Sequence, residues 1–153
     1  MKLSKEDSSN SVNLTLYKSM VWSLIYLTAT RPNLMYAISL ISRFMETSKD
    51  SHWQVGKRIQ RYVKGTKWFR ILYIANNDFK FVGYIDSDWA GSLDDRKSTS
   101  RYMFHMGLGE ISWASKKQPI VAQSTSEAKY IVEKVASCQA IWLRMILNDL
   151  NEI

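Results

Sequence analysis

The sequence predicts an α+β chain, with helices first, then strands, then one long helix. Up to about residue 65, apolar residues recur every three or four positions, as on a buried helix face. From there to about residue 115, β-branched and aromatic residues dominate, and after Ser124 the helical spacing returns. The charge divides with the pattern. Residues 1–75 hold 12 Lys and Arg against 4 Asp and Glu, a balance of +8, whereas residues 76–153 hold 9 against 10. Together they make the formal +7 of the whole chain.

Taken in order, residues 1–12 are polar and read as a frayed, disordered tail. Leu16, Met20, Val21, Leu24, Ile25 and Leu27 outline a first helix over Leu14–Thr28. Pro32 suits the first turn of a second helix running to about Glu46, with Leu34, Ala37, Ile38, Ile41 and Met45 as its stripe. Ser48 or Asp50 would cap a third helix, ended by Gly65, with Val55, Ile59, Tyr62 and Val63 facing inward. A helical region over 13–68 follows from these three. Strands are expected at about 69–74, 79–86, 101–107 and 110–115, the last two forming a hairpin around Gly107 and Gly109. The final helix spans about 124–150, and Cys138 lies in its apolar pattern, where it reads as core.

Several classes are set aside by composition. Hydrophobic residues at 46% argue against disorder. The lone Cys138 excludes an internal disulfide framework and a Cys-built zinc site. The longest run free of charged residues, Ser19–Thr30, has 12 residues, too few to span a bilayer. No apolar signal-peptide core follows the first residues, so an intracellular setting without a membrane partner is expected. His52 and His105 have no Cys or His at ligand spacing and no triad partner nearby, and both read as structural.

Two constellations carry chemistry. Lys57, Arg58, Arg61, Lys64, Lys67 and Arg70 are interleaved with Trp53, Tyr62 and Trp68. Basic and aromatic side chains together suit a nucleic-acid backbone, through counterion release and stacking. The same stretch also reads as a solvated helix face whose aromatics point inward. The second constellation is acidic. Asp86 and Asp88 close the apolar strand in Gly83-Tyr84-Ile85-Asp86-Ser87-Asp88-Trp89-Ala90-Gly91. A strand-held aspartate suits a magnesium ligand, and an aspartate in a turn equally stabilises local backbone. An EF-hand is excluded, because counting from Asp86 its fifth and twelfth positions are Ala90 and Lys97. Ser124-Thr125-Ser126-Glu127 forms a capping box, unless Glu127 shares a metal with Asp86. Spacing leaves both readings open.

Beyond these readings, the residues resemble a known family. Ser23-Leu24-Ile25-Tyr26-Leu27-Thr28-Ala29-Thr30-Arg31-Pro32 is similar to the segment that follows the reverse transcriptase in copia-type retrotransposon Pol polyproteins. So are His52-Trp53, Arg61-Tyr62-Val63-Lys64-Gly65-Thr66, the Gly83–Gly91 run, the block from Ile111 to Pro119, and Ser124 to Tyr130. The blocks occur in order over about residues 14–150. The resemblance implies a thumb or connection-like helical region followed by the start of an RNase H domain, a mixed sheet with flanking helices. It also implies cleavage of the RNA strand of an RNA–DNA hybrid in the intact family, with two Mg2+ ions held by four acids. Asp86 and Glu127 fall on two of those acids, while the other two belong to "DN" and "KHID" blocks that these residues do not contain. With half the ligands, the resemblance implies a segment that is expected to be inactive alone.

The sequence also departs from the family pattern. Trp22 stands for a usual Gly, Ile85 for Thr, Arg101 for Gly and Lys129 for Glu. Arg101 is expected to strain a strand junction. Without a "DN" strand beside it, the strand carrying Asp86 should present an apolar edge, favouring self-association or dependence on the rest of a polyprotein. The alternatives are a non-enzymatic nucleic-acid binder, or a chain of the kind labelled as a secreted RxLR effector. The latter motif is incomplete, since Leu143-Arg144 is preceded at the needed position by Ile141.

Overall fold

The computed structural model describes residues 3–74 and 80–150. Among them are four α-helices and one three-stranded antiparallel sheet. The chain divides into two compact units: one runs to Leu72 and takes in Ser92–Arg96, and the other holds the remainder.

In the helical unit, α1 (Leu14–Leu27) begins where the Asn13 side-chain oxygen accepts the N–H groups of Thr15 and Leu16, at 2.9 and 3.2 Å. That satisfies two donors which a helix start otherwise leaves open. Tyr17, Met20, Val21 and Leu24 form its buried face. The Tyr17 hydroxyl is fully buried and donates to the Ile41 carbonyl at 2.8 Å, so its polar end carries no desolvation penalty.

The second helix is not continuous to Glu46. It is a 3-10 turn at Pro32–Leu34, α2 (Met35–Ile41) and a second 3-10 turn at Ser42–Phe44. The Ser39 and Ser42 hydroxyls donate back to the Tyr36 and Ser39 carbonyls at 2.8 and 3.0 Å, competing with the helical ladder. Leu34, Ile38, Ile41 and Phe44 still share one buried face with α1.

Neither Ser48 nor Asp50 caps α3 (Asp50–Gly65); Lys49 holds that position. The Lys49 N–H donates to His52 Nδ1 at 3.1 Å, while His52 Nε2 meets the Ser4 carbonyl at 3.0 Å. The ring stacks on Phe44 with centroids 3.9 Å apart. His52 therefore acts as the reciprocal half of a capping box, a role usually taken by Glu or Gln. At the other end, Arg31 Nη2 donates to the Thr66 carbonyl at 2.5 Å and to its hydroxyl at 3.0 Å. A cation is thus placed at the negative end of the helix. Tyr62, expected to face inward, is exposed.

Residues 3–12 are pinned where a frayed tail was expected. Asp50 N–H donates to the Asn10 carbonyl at 2.8 Å and Val12 N–H to the Ser48 carbonyl at 3.3 Å. Ser4 Oγ and Lys5 N–H both donate to Asp94 Oδ1, at 2.6 and 3.0 Å. These partners are distant in sequence, so composition alone does not reveal them.

Burial holds His52 below its ordinary pKa of 6.5, outweighing the nearby carboxylates of Asp7 and Asp94, which act in the opposite sense. Since both ring nitrogens are engaged, protonation also removes the acceptor for Lys49. As pH falls through the ordinary value, the unfolded chain takes up a proton that the folded chain refuses, so stability declines and levels off once the folded ring titrates. Melting temperatures from pH 7.5 to 5 should fall for the wild type and show a shallower slope for His52→Gln.

The sheet unit contains β1 (Phe81–Ser87), β2 (Thr99–Met106) and β3 (Gly109–Lys117), in that spatial order. Gly83 lies opposite Phe104 and Phe104 opposite Ser112, so these three share a face. The last helix, α4 (Thr125–Asp149), covers that face: Ala128, Val132 and Ala136 are buried, and Gln139 donates to Ser112 at 3.3 Å. Gln118 Nε2 joins Ser100 Oγ and the Ala128 carbonyl, at 3.0 and 2.9 Å.

Three expectations are corrected here. Residues 69–74 form no strand, because strand-like composition finds no ladder partner among the described residues; Phe69 N–H closes a turn on the Thr66 carbonyl at 3.0 Å, and the Tyr73 hydroxyl donates to the Glu110 carbonyl at 2.7 Å. The described sheet is antiparallel throughout, not mixed, since short connections join its strands and a parallel neighbour would need a crossover. Cys138 is exposed, one register away from the stripe that meets the sheet. Residue 79, where the second expected strand begins, lies outside the described residues. β1 is an edge strand, with Val82, Tyr84 and Ile85 exposed. No helix among the described residues is long and apolar enough to cross a membrane.

Candidate nucleic-acid interface and acidic site

On α3 the buried positions are His52, Gly56 and Ile59. At 100° per residue, Lys57, Arg58, Arg61 and Lys64 project from the opposite side, and all four are exposed. Beyond the helix, Lys67 and Arg70 are exposed as well. No carboxylate among the described residues makes an ion pair with any of the six. The Lys57 ammonium lies 5.3 Å from the centre of the Trp53 ring, and Lys67 lies 4.9 Å from Trp68. Trp68 is 71% exposed, and Tyr62 is held at the surface by Asn33, whose Nδ2 donates to its hydroxyl at 2.8 Å. Of the three aromatics only Trp53 is half-buried. The result is a row of uncompensated cations beside an open indole face, an arrangement able to neutralise phosphates and stack a base.

The acidic residues have separate tasks. Asp88 closes the loop after β1: its Oδ1 accepts Thr99 N–H at 2.6 Å. A side chain at Gly91 would run into the Asp88 carboxylate, so the loop needs glycine there. Ala90 adopts a left-handed φ of 50°, with its N–H held by Ser98 Oγ at 3.2 Å. Asp88 is therefore a structural turn residue.

Asp86 lies near the end of β1, directly opposite Arg101 on β2. Its Oδ2 is 2.5 Å from Arg101 Nη2, with side-chain exposures of 62% for the aspartate and 34% for the arginine. Alternation puts Asp86 on the face of Val82 and Tyr84, whereas Phe104 and Ser112, which meet α4, lie on the other. Arg101 occupies regular strand backbone and shows none of the strain expected there. Glu127 sits in the first turn of α4. Its N–H donates to Ser124 Oγ at 3.1 Å, and its Oε2 accepts Gln123 N–H at 2.6 Å. The Ser124 half of a capping box is thus present, while the Glu127 carboxylate accepts from Gln123, one residue before the N-cap donor of a regular box.

These residues do not fit a magnesium pair. One carboxylate is neutralised by a guanidinium, the other is engaged by backbone, and among the described residues no three His, Cys, Asp or Glu side chains gather to hold a metal. Sequence reasoning noted Arg101 only as a departure from a glycine. Its opposite charge to Asp86 was the available signal, but pairing the two requires the strand register.

The chain is 38% identical over 150 residues to the retrovirus-related Pol polyprotein from transposon RE2 of Arabidopsis thaliana, covering 98% of this chain and 10% of that protein. It is 39% identical to the Pol polyprotein from transposon TNT 1-94 of Nicotiana tabacum, covering 99% and 12%. A protein of Plasmopara viticola named secreted RxLR effector protein 161 is 40% identical over 128 residues, covering 83% of this chain and 90% of that one. The chain thus spans about a tenth of the Pol polyproteins it matches. No family model and no solved structure matches it.

Proposed function

Because this chain belongs to the retrovirus-related Pol polyproteins of copia-type transposons, we propose that it is an RNase H-related segment of such a polyprotein that binds nucleic acid but does not cleave it. The observation that carries the second half is the Asp86–Arg101 pair. In the intact family, Mg2+ activates the attacking water and stabilises the leaving oxygen. Here the two acids that would belong to that site, Asp86 and Glu127, serve a cross-strand ion pair and a helix cap.

The first half rests on the cations of Lys57, Arg58, Arg61, Lys64, Lys67 and Arg70 and on the exposed Trp68. A polyanion is the partner these side chains suit, and an RNA–DNA hybrid is the one the family resemblance favours. On this reading the chain acts inside the cell. The free edge of β1 supports pairing with a further strand, either from the remainder of a polyprotein or from a second copy.

The test is a labelled RNA–DNA hybrid incubated with the full chain and Mg2+. The expected result is retention of the hybrid without cleavage of its RNA strand. Cleavage that disappears in Asp86→Asn would show an active nuclease and overturn the reading.

A further inference from the structure

We propose that Arg101 is a built-in cation for Asp86, occupying its carboxylate and keeping divalent metal away from it. The inference deepens the RNase H-related reading, but metal binding can be measured without nucleic acid, so either can fail alone.

β1 and β2 place the two residues directly opposite each other, on the same face of the sheet. Opposed positions bring the Cβ atoms within about 5.5 Å of each other. The guanidinium therefore reaches the carboxylate without leaving its strand, and Arg101 Nη2 lies 2.5 Å from Asp86 Oδ2. Being tethered, the cation is present at every metal concentration, and it keeps its charge at any pH at which the protein folds.

A divalent ion approaching the same carboxylate meets three obstacles. It must displace Arg101 from Oδ2, accept the repulsion of a guanidinium within a few ångströms, and make do with few other ligands. The last point is particular to this chain: no further acid, His or Cys among the described residues gathers with Asp86 into a three-ligand group. Glu127, the acid the sequence would add, has Oε2 committed to Gln123 N–H. The half-exposed pair is not a large source of stability. Its consequence is occupancy.

Removing the cation should therefore raise the affinity of the Asp86 carboxylate for divalent metal. The probe is Mn2+, a paramagnetic hard cation, with bound metal counted by electron paramagnetic resonance on the full chain. Arg101→Gly and Arg101→Gln should each bind Mn2+ at least tenfold more tightly than the wild type, and adding Asp86→Asn should abolish the gain. Equal affinity in wild type and both variants would overturn the proposal, as would a gain that survives Asp86→Asn. If neither variant keeps the wild-type amide spectrum, the wild type decides by itself. Its Arg101 guanidinium and Asp86 amide resonances should stay unbroadened in millimolar Mn2+, and selective broadening there would overturn the assignment.

Discussion

Replacing Lys57, Arg58, Arg61 and Lys64 together by Gln should leave the chain folded and remove most of its salt-dependent affinity for an RNA–DNA hybrid. Each phosphate neutralised by a cation contributes about 0.9 to the slope of log affinity against log salt. Four such contacts make binding fall roughly a hundredfold between 50 and 200 mM salt. The four residues lie on the side of α3 opposite His52, Gly56 and Ile59, so the substitutions spare the buried face and remove only the Lys57 contact with the half-buried Trp53 ring. Gln is close to Lys and Arg in helix propensity, which keeps the backbone cost small. Fluorescence anisotropy across a salt series should show the slope reduced by about three to four. Residual binding would come from Lys67, Arg70 and Trp68, which lie beyond the helix. An unchanged slope, with circular dichroism intact, would remove α3 from the interface.

The largest effect on folding is expected at the Gly83–Phe104 contact. Among the described residues of the sheet unit Phe104 is the buried aromatic side chain, with the Phe81 and Tyr102 rings at 5.4 and 5.6 Å between centroids. Phe104→Ala should cost about 3–5 kcal/mol, from lost transfer energy and the cavity left behind. Gly83 faces the ring across β1 and β2, and a Cβ there would come within 2.5 Å of Phe104 Cε1. Glycine normally weakens a strand, so by backbone entropy alone Gly83→Ala would be favourable by about 0.5–1 kcal/mol. Against a buried ring that cannot swing away, overpacking wins, and the substitution should cost about 1–3 kcal/mol. In the Phe104→Ala background the added methyl enters the cavity, and Gly83→Ala should become neutral or stabilising. Urea unfolding of the wild type, both single variants and the double variant gives the coupling directly. Additive costs would show that glycine is not required there by the ring.

How much of this was legible follows from the range over which each feature is determined. The face of α1 was legible in part from spacing: Met20, Val21 and Leu24 repeat at three or four residues and are buried, whereas Leu16 is exposed and its neighbour Tyr17, outside the expected stripe, is buried in its place. The Ser124 half of the capping box was equally local. The break of the second helix was not read, since Ser39 and Ser42 are compatible with a helix until their hydroxyls turn back on the chain. Cys138 was misplaced because α4 carries more apolar residues than its contact with the sheet uses; Val135, Ile141, Trp142 and Met145 are exposed. Residues 69–74 have the composition of a strand and find no ladder partner among the described residues.

By itself, the sequence determined the α+β order, the basic half, the acid-bearing loop and the similarity to the Pol polyproteins, all of which depend on residue identity along the chain. Tertiary structure alone decided what the charged residues do. The side of α3 on which the cations stand open, the link from Arg31 to Thr66, and the meeting of Asp86 with Arg101 each depend on which segments lie side by side. A side chain's partner is set by distance in space, and for Asp86 that distance exists only once β1 and β2 have taken their register.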